Sequence, residues 1–187
     1  MEHYLRSFNI LSEEEIKSFQ NNVKSKRIKK GDFFIEEGKT CKHVAFVISG
    51  LLRSFYYSSS SEEVTYCFTF SGSFLSAYSS FLSQSKTVEN IQALTDVELW
   101  TISRDEILKL EESSTNWLKL FKFIAEQEYI KMEKRIFILQ KESAEKRYAD
   151  LLNNQPELLQ NVPLIYISSY LGITQRHLSR IRRSLSK

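Results

Sequence analysis

A change of apolar period near residue 103 constrains the fold more than any other feature of this chain. Up to Ile102 the apolar and aromatic residues fall in short runs: Phe33–Ile35, Val44–Ile48, Leu51–Tyr57, Val64–Phe70, Ile91–Leu94 and Leu99–Ile102. Turn-forming residues separate them at Gly31-Asp32, Gly38, Ser49-Gly50, Ser58–Ser61, Gly72 and Thr95-Asp96. Short runs bounded in this way predict an antiparallel sandwich or barrel. The polar tract Ser58–Glu63 reads as an exposed hairpin loop. The basic run Lys24, Lys26, Arg27, Lys29, Lys30 reads as solvated surface leading into a turn. Ahead of the strands, Ser12 and Glu15 form an S-x-x-E capping box for an opening helix to about Val23, with Ile16 and Phe19 on one face.

From Arg104 the period becomes helical. Arg104–Leu110 predicts a short helix, and a long one follows from about Asn116 to Gln140. Leu118, Ala125, Met132 and Leu139 recur every seven residues, with Phe121, Tyr129 and Ile136 beside them. At 1.5 Å per residue such a helix spans roughly 37 Å, more than one small domain covers. Part of the stripe is therefore expected to meet a partner, and a second copy across a two-fold axis is the simplest one. The alternative is burial of the whole stripe by the β-domain. A further helix around Ser143 to Asn153 leads to Asn153-Asn154-Gln155-Pro156, read as a hinge.

The last segment, Leu164 to Lys187, reads as two short amphipathic helices joined at Gly172. Glycine takes φ > 0 without steric cost, and Thr174 is a natural N-cap for the second helix, about Thr174 to Ser186. Leu178, Ile181 and Leu185 recur at helical spacing and are expected to face a core. Gln175, Arg176, Ser179, Arg180, Arg182 and Arg183 are left for solvent or for something acidic. This is the pattern of a helix-turn-helix, whose second helix presents its N-terminal residues to base edges. The chain carries only +3, with 26 Lys+Arg against 23 Asp+Glu, but after Glu157 there is no acidic residue. A local unbalanced patch is the footprint of a phosphate-contacting module.

Composition narrows the classes. With 187 residues, 42% of them hydrophobic, the chain can build a core and hold one or two modest domains. No apolar run is long enough to cross a membrane, and MEHYLRSFNILSEEE lacks the layout of a secretory signal, so a cytoplasmic location is expected. Cys41 and Cys67 are expected to be reduced, and they are too few to hold an iron–sulfur cluster unaided. A cupin-like metalloenzyme would need clustered imidazoles. His3, His43 and His177 lie in three different regions, so no metal site and no enzymatic activity are expected.

The string Ile167 to Arg182, IxxYLGITQRHLSRIR, resembles the DNA-binding segment of the Crp–Fnr superfamily of transcription regulators. Ala144 to Leu152, AEKRYADLL, is similar to the helix preceding that unit in the family. Lys30-Gly31-Asp32, Gly38, Val44–Gly50 and Gly72-Ser73-Phe74 fall in the family's order. The resemblance implies an α+β fold with three parts. An N-terminal antiparallel β-barrel or jelly roll, cyclic-nucleotide-binding-domain-like, covers 1–114; a long dimerisation helix covers 115–141; a helix-turn-helix domain covers 142–187. It also implies a homodimeric regulator whose partners are duplex DNA with a near-palindromic site, a second copy, and RNA polymerase. The residues it assigns to DNA are Thr174, Gln175, Arg176, His177, Ser179, Arg180, Arg182 and Arg183. Those it assigns to the dimer are Leu118, Phe121, Ala125, Tyr129, Met132, Ile136 and Leu139.

Two departures bear on the effector. Cyclic-nucleotide-binding members follow the turn at Gly72–Ser76 with a glutamate for the ribose and, about ten residues on, an arginine for the phosphate. Here those positions hold Ala77 and Thr87, with Lys86 adjacent. Alanine offers no acceptor, threonine no charge, and lysine no bidentate fork. The barrel is therefore expected not to take cyclic AMP in the usual way, and no cofactor is expected. Ser76, Ala77, Tyr78, Thr87 and Glu89 would line any other effector pocket. The family's two-stranded wing after the recognition helix has no counterpart before Lys187, which implies fewer phosphate contacts per protomer. A ligand-sensing or protein-interaction module without specific DNA binding is the alternative function.

Overall fold

The computed structural model describes residues 2–185. In chain order the elements are α1 (Glu2–Ser7), α2 (Glu13–Asn22), β1 (Lys24–Ile28), β2 (Phe33–Ile35), β3 (His43–Ser49), β4 (Leu51–Tyr57), β5 (Glu63–Phe70), β6 (Phe74–Leu75), α3 (Tyr78–Ser83), β7 (Glu89–Ala93) and β8 (Val97–Ser103). Helices follow: α4 (Arg104–Ser113), α5 (Thr115–Lys141), α6 (Ala144–Asn154), α7 (Pro156–Asn161), α8 (Leu164–Tyr170) and α9 (Gln175–Leu185). The strands form two four-stranded sheets, ordered β1-β8-β3-β6 and β2-β7-β4-β5. This is the expected α+β class, a jelly-roll-like β-domain followed by helices.

Dense packing divides the chain into two units: Met1–Ser54 with Phe68–Glu126, and Phe55–Cys67 with Gln127–Lys187. In the first, Val47, Leu52, Ile91 and Leu99 from both sheets are buried in one core with Ile16, Trp117 and Leu120. Phe19 stacks on Trp117 with ring centroids 5.3 Å apart. The capping box forms: Glu15 N–H donates to Ser12 Oγ, and Ser12 N–H donates to the Glu15 carboxylate. The Glu15 carboxylate also accepts from Asn116 Nδ2 at 3.3 Å, which joins α2 to the start of α5.

The glycine at 50 turns β3 into β4 with φ +95°, and a Cβ there would stand 2.5 Å from the Asp96 carbonyl oxygen. No side chain fits that approach, so this corner of the sandwich depends on glycine.

Several elements depart from the sequence expectation. The basic run from Lys24 is exposed surface as expected, but its first part is also the edge strand β1, paired with β8 from Lys24↔Thr101 to Ile28↔Val97. Only Ile28 of the five is buried, and exposed lysines on an edge strand discourage pairing with other chains. Lysine-rich sequence carries no strand signal of its own; the pairing with β8 supplies it. Pro156 opens an additional short helix, α7, from its first position, where a missing N–H costs nothing, and the break from α6 falls at Gln155. Helices α1 and α3 and strand β6 were too short to register in the apolar period.

In the second unit α6 packs on α7 and α9, and α8 packs on α7 and α9. Tyr148, Leu151, Leu158, Val162, Ile167, Leu171, Leu178 and Ile181 are among its buried apolar residues. Leu185, expected on the core face, is exposed at the last residue of α9. Ser186, placed by the sequence at the helix end, lies outside the described residues, as does Lys187.

Candidate nucleic-acid interface and effector pocket

The turn between α8 and α9 is built by local backbone bonds. Leu171 N–H donates to Ile167 O at 2.9 Å, and Gly172 N–H to Ser169 O at 3.0 Å. Gly172 then takes φ +68°, which reverses the chain. Thr174 caps α9: His177 N–H donates to Thr174 Oγ1 at 3.2 Å. Its hydroxyl is thus committed to the helix start. The side chain of Ser169 meets the hairpin tip, where Ser169 Oγ accepts from Thr65 N–H at 2.9 Å and donates to Glu63 O at 3.0 Å.

Burial of Leu178 and Ile181 fixes which side of α9 is inward. At 100° per residue, Gln175, Arg176, Ser179, Arg180 and Arg183 then share the opposite side, and Arg182 falls on its flank. Gln175, Arg176, Arg180 and Arg183 are exposed, and Ser179 is half-buried. Among the described residues, Arg176, Arg180 and Arg183 stand in no ion pair with the protein's own carboxylates. His177 sits apart from this face. Its Nε2 lies 3.6 Å from Glu145 Oε1 at the start of α6, across an open cleft of about 320 Å³ lined also by Arg180, Ile181 and Ser184. The Glu145 backbone amide, then Ser143 and His177, hold that carboxyl below its usual range.

Helix α5 buries only Trp117 and Leu120. Phe121 and Ala125 are half-buried, Phe121 against the first unit's core, whereas Leu118, Tyr129, Met132, Ile136 and Leu139 are exposed. The described residues cover the stripe only in part, at Phe121 and Ala125, and leave its C-terminal half exposed. Ile130 and Phe137 add a second exposed apolar strip, which the seven-residue count passed over.

The proposed effector residues are dispersed in role. Ser76 Oγ donates to His43 O at 3.1 Å, and Ala77 is buried at the start of α3. Tyr78 is exposed and stacks on Phe81. Thr87 is buried, its Oγ1 accepting from Glu89 N–H at 3.1 Å, and Glu89 is half-buried. Lys86, next to Thr87, is exposed. The buried cation of the sandwich is Arg53 on β4, whose Nη2 donates to Gln92 Oε1 on β7 at 3.2 Å. In the sequence it sits inside the apolar run Leu51–Tyr57, two residues from Leu51 and from Phe55 and so on the same strand face as both. A cavity of about 90 Å³ is lined by Lys26, Phe34, Ile35, Cys41, His43 and Thr101. Burial, then Lys26, Lys24 and Lys42, push the His43 imidazole below its ordinary value.

Residues 25–114 match the cyclic nucleotide-binding domain family. Solved structures extend the likeness to the helices. A putative Crp/Fnr-family transcriptional regulator from Eubacterium rectale superposes with TM-score 0.76 at 20% identity, covering 98% of this chain and 88% of that one. FixK2 from Bradyrhizobium japonicum gives 0.75 at 18%, covering 88% and 84%. The c-di-GMP-responsive regulator CLP of Xanthomonas campestris gives 0.74 at 16%, covering 94% and 92%. No curated protein matches the sequence. The chain therefore pairs a cyclic nucleotide-binding-type domain with the overall fold of Crp/Fnr regulators. Within that domain, buried Ala77 and Thr87 offer neither an acidic acceptor nor a positive charge.

Proposed function

We propose that this protein is a homodimeric DNA-binding transcription regulator of the Crp–Fnr type, acting in the cytoplasm and not responding to cyclic AMP. One observation carries the reading: the outward side of α9 holds Arg176, Arg180 and Arg183, exposed and in no ion pair among the described residues. Such a side fits the major groove. Arg176 and Arg180 suit guanine O6/N7, and Gln175 suits adenine N6/N7. Ser179, Arg182 and Arg183 suit phosphates, while Thr174 and His177 support the helix start. The uncovered stripe of α5 supplies the two-fold seam, so the site is near-palindromic with half-sites about 34 Å apart. The three-part division 1–114, 115–141 and 142–187 assigns sensing, pairing and reading, with RNA polymerase as the downstream partner.

The test is selection of bound duplexes from a random pool with the full-length protein. A palindromic consensus supports the reading. Recovery of no consensus at moderate salt, with binding that collapses as salt rises, would leave only non-specific phosphate attraction.

A further inference from the structure

Two arginines outside α9 make contacts that the DNA-reading face does not explain. Arg135 on α5 donates through Nε to Tyr66 O at 3.0 Å and through Nη2 to Tyr170 O at 2.5 Å. Its guanidinium lies 3.6 Å from the centroid of the Tyr170 ring. Arg147 on α6 donates through Nε to Leu171 O at 3.1 Å, and through Nη1 to Leu139 O at 3.2 Å and Glu142 O at 2.6 Å. Apart from Tyr66 O on β5, the acceptors lie at helix ends: Tyr170 and Leu171 at the end of α8, and Leu139 and Glu142 at and just past the end of α5. Helix C-terminal carbonyls lack intrahelical partners and carry the negative end of the helix dipole, so a cation fits there. Among the described residues neither arginine stands in an ion pair with a carboxylate. Both guanidiniums are committed to backbone. A Cβ on Gly172 would lie 3.6 Å from Leu139 Cδ2, so the helix-turn-helix turn rests against the same end of α5.

These bonds set the angle between α5 and α8, and the Gly172 turn and the Leu178–Ile181 core carry that angle to α9. We propose that Arg135 and Arg147 are positioning residues for duplex binding: by clamping α8 to the end of α5 they fix the separation of the dimer's two recognition helices, and hence the half-site spacing it accepts. This rests on the reading of the chain as a dimeric duplex binder. One base pair more or less between half-sites displaces the second by about 3.4 Å and turns it by about 34°, which a rigid clamp cannot follow. Lysine keeps the charge but loses the planar fork that reaches two carbonyls at once.

The experiment measures binding of the full chain to the selected palindrome with its spacer shortened or lengthened by one and two base pairs. Wild type is expected to lose about tenfold or more in affinity for the first added or removed base pair. The Arg135→Lys/Arg147→Lys protein is expected to vary less than about threefold across the series, with an unchanged salt slope because neither residue touches phosphate. A double variant that keeps the wild-type profile overturns the proposal, and so does an equal loss at every spacing. If the double variant unfolds on heating well below wild type, Arg135→Lys alone carries the same comparison. Wild type that binds no duplex would sink the functional reading, and the spacing claim with it. The clamp is still read without DNA, from spin labels at Lys131 and Arg183 in a Cys67→Ser background diluted with unlabelled protein. A narrow distance distribution should broaden in the lysine variants, and an unchanged one removes the clamp as well.

Discussion

Met132→Glu tests the proposed seam on α5. Tyr129, Met132 and Ile136 are 67%, 63% and 50% exposed, with Leu118 and Leu139 beside them on the same stripe. At roughly 100 Å² of free surface apiece these five side chains offer about 500 Å² per protomer. Two copies, with the flanks of the helix, approach the roughly 1,200 Å² of the smallest stable interfaces. Burying one methionine contributes about 1.5–3 kcal/mol, and a two-fold axis counts it twice, so about 3–6 kcal/mol is at stake. That corresponds to a dissociation constant raised by roughly 10²- to 10⁴-fold, before any repulsion between two facing carboxylates. Sedimentation equilibrium of wild type and variant measures it directly. Lys134→Glu, on the opposite side of the helix, serves as the control and should sediment as wild type. A wild-type protein that stays monomeric at tens of micromolar, or a Met132→Glu protein that dimerises equally well, refutes the seam.

Further expectations follow from other elements. Arg180→Ala should cost about 1–3 kcal/mol on the preferred duplex and relax its sequence preference in a competition assay; uniform loss on all duplexes would assign Arg180 to phosphate. Gly172→Ala meets only ordinary contact and should cost about 1–2 kcal/mol from its left-handed backbone. Gly50→Ala, with a Cβ 2.5 Å from the Asp96 carbonyl oxygen, should lower the melting temperature much further. His43 has its folded-state value depressed, so the unfolded chain binds the proton more tightly. Its contribution to stability is complete above about pH 6.5 and is lost as pH falls below that, and His43→Gln should flatten this part of the melting-temperature profile. Cyclic AMP should leave the melting temperature unshifted; a rise that grows with nucleotide concentration would show that another residue, such as Arg53, does the work expected of position 87.

Elements with strong period or strong caps were legible in the sequence. Six of the apolar runs became strands, the Ser12–Glu15 box formed, and Gly172 and Thr174 took their expected places at the turn. What escaped was decided by contacts between distant segments. Strand β1 exists because β8 pairs with it, although five residues reading KSKRI carry no such signal. Arg53 hides in an apolar run because its burial depends on Gln92, 39 positions away. The arginine face of α9 was readable because a helix writes its faces into local spacing. The clamp by Arg135 and Arg147 was not, since backbone carbonyls are the same for every residue type and leave no mark on the sequence.

The twin bonds of Ser169 to Glu63 O and Thr65 N–H have a further effect, since β5 is the outermost strand of its sheet. The hydroxyl occupies two backbone groups that would otherwise stand ready to zip onto a foreign strand. The helical segment would thereby shield that edge from pairing with other chains, beside the duplex-reading role proposed for it. Cutting it away to isolate the β-domain should yield material that clumps, and restoring a serine-bearing helix at that edge should keep it dispersed.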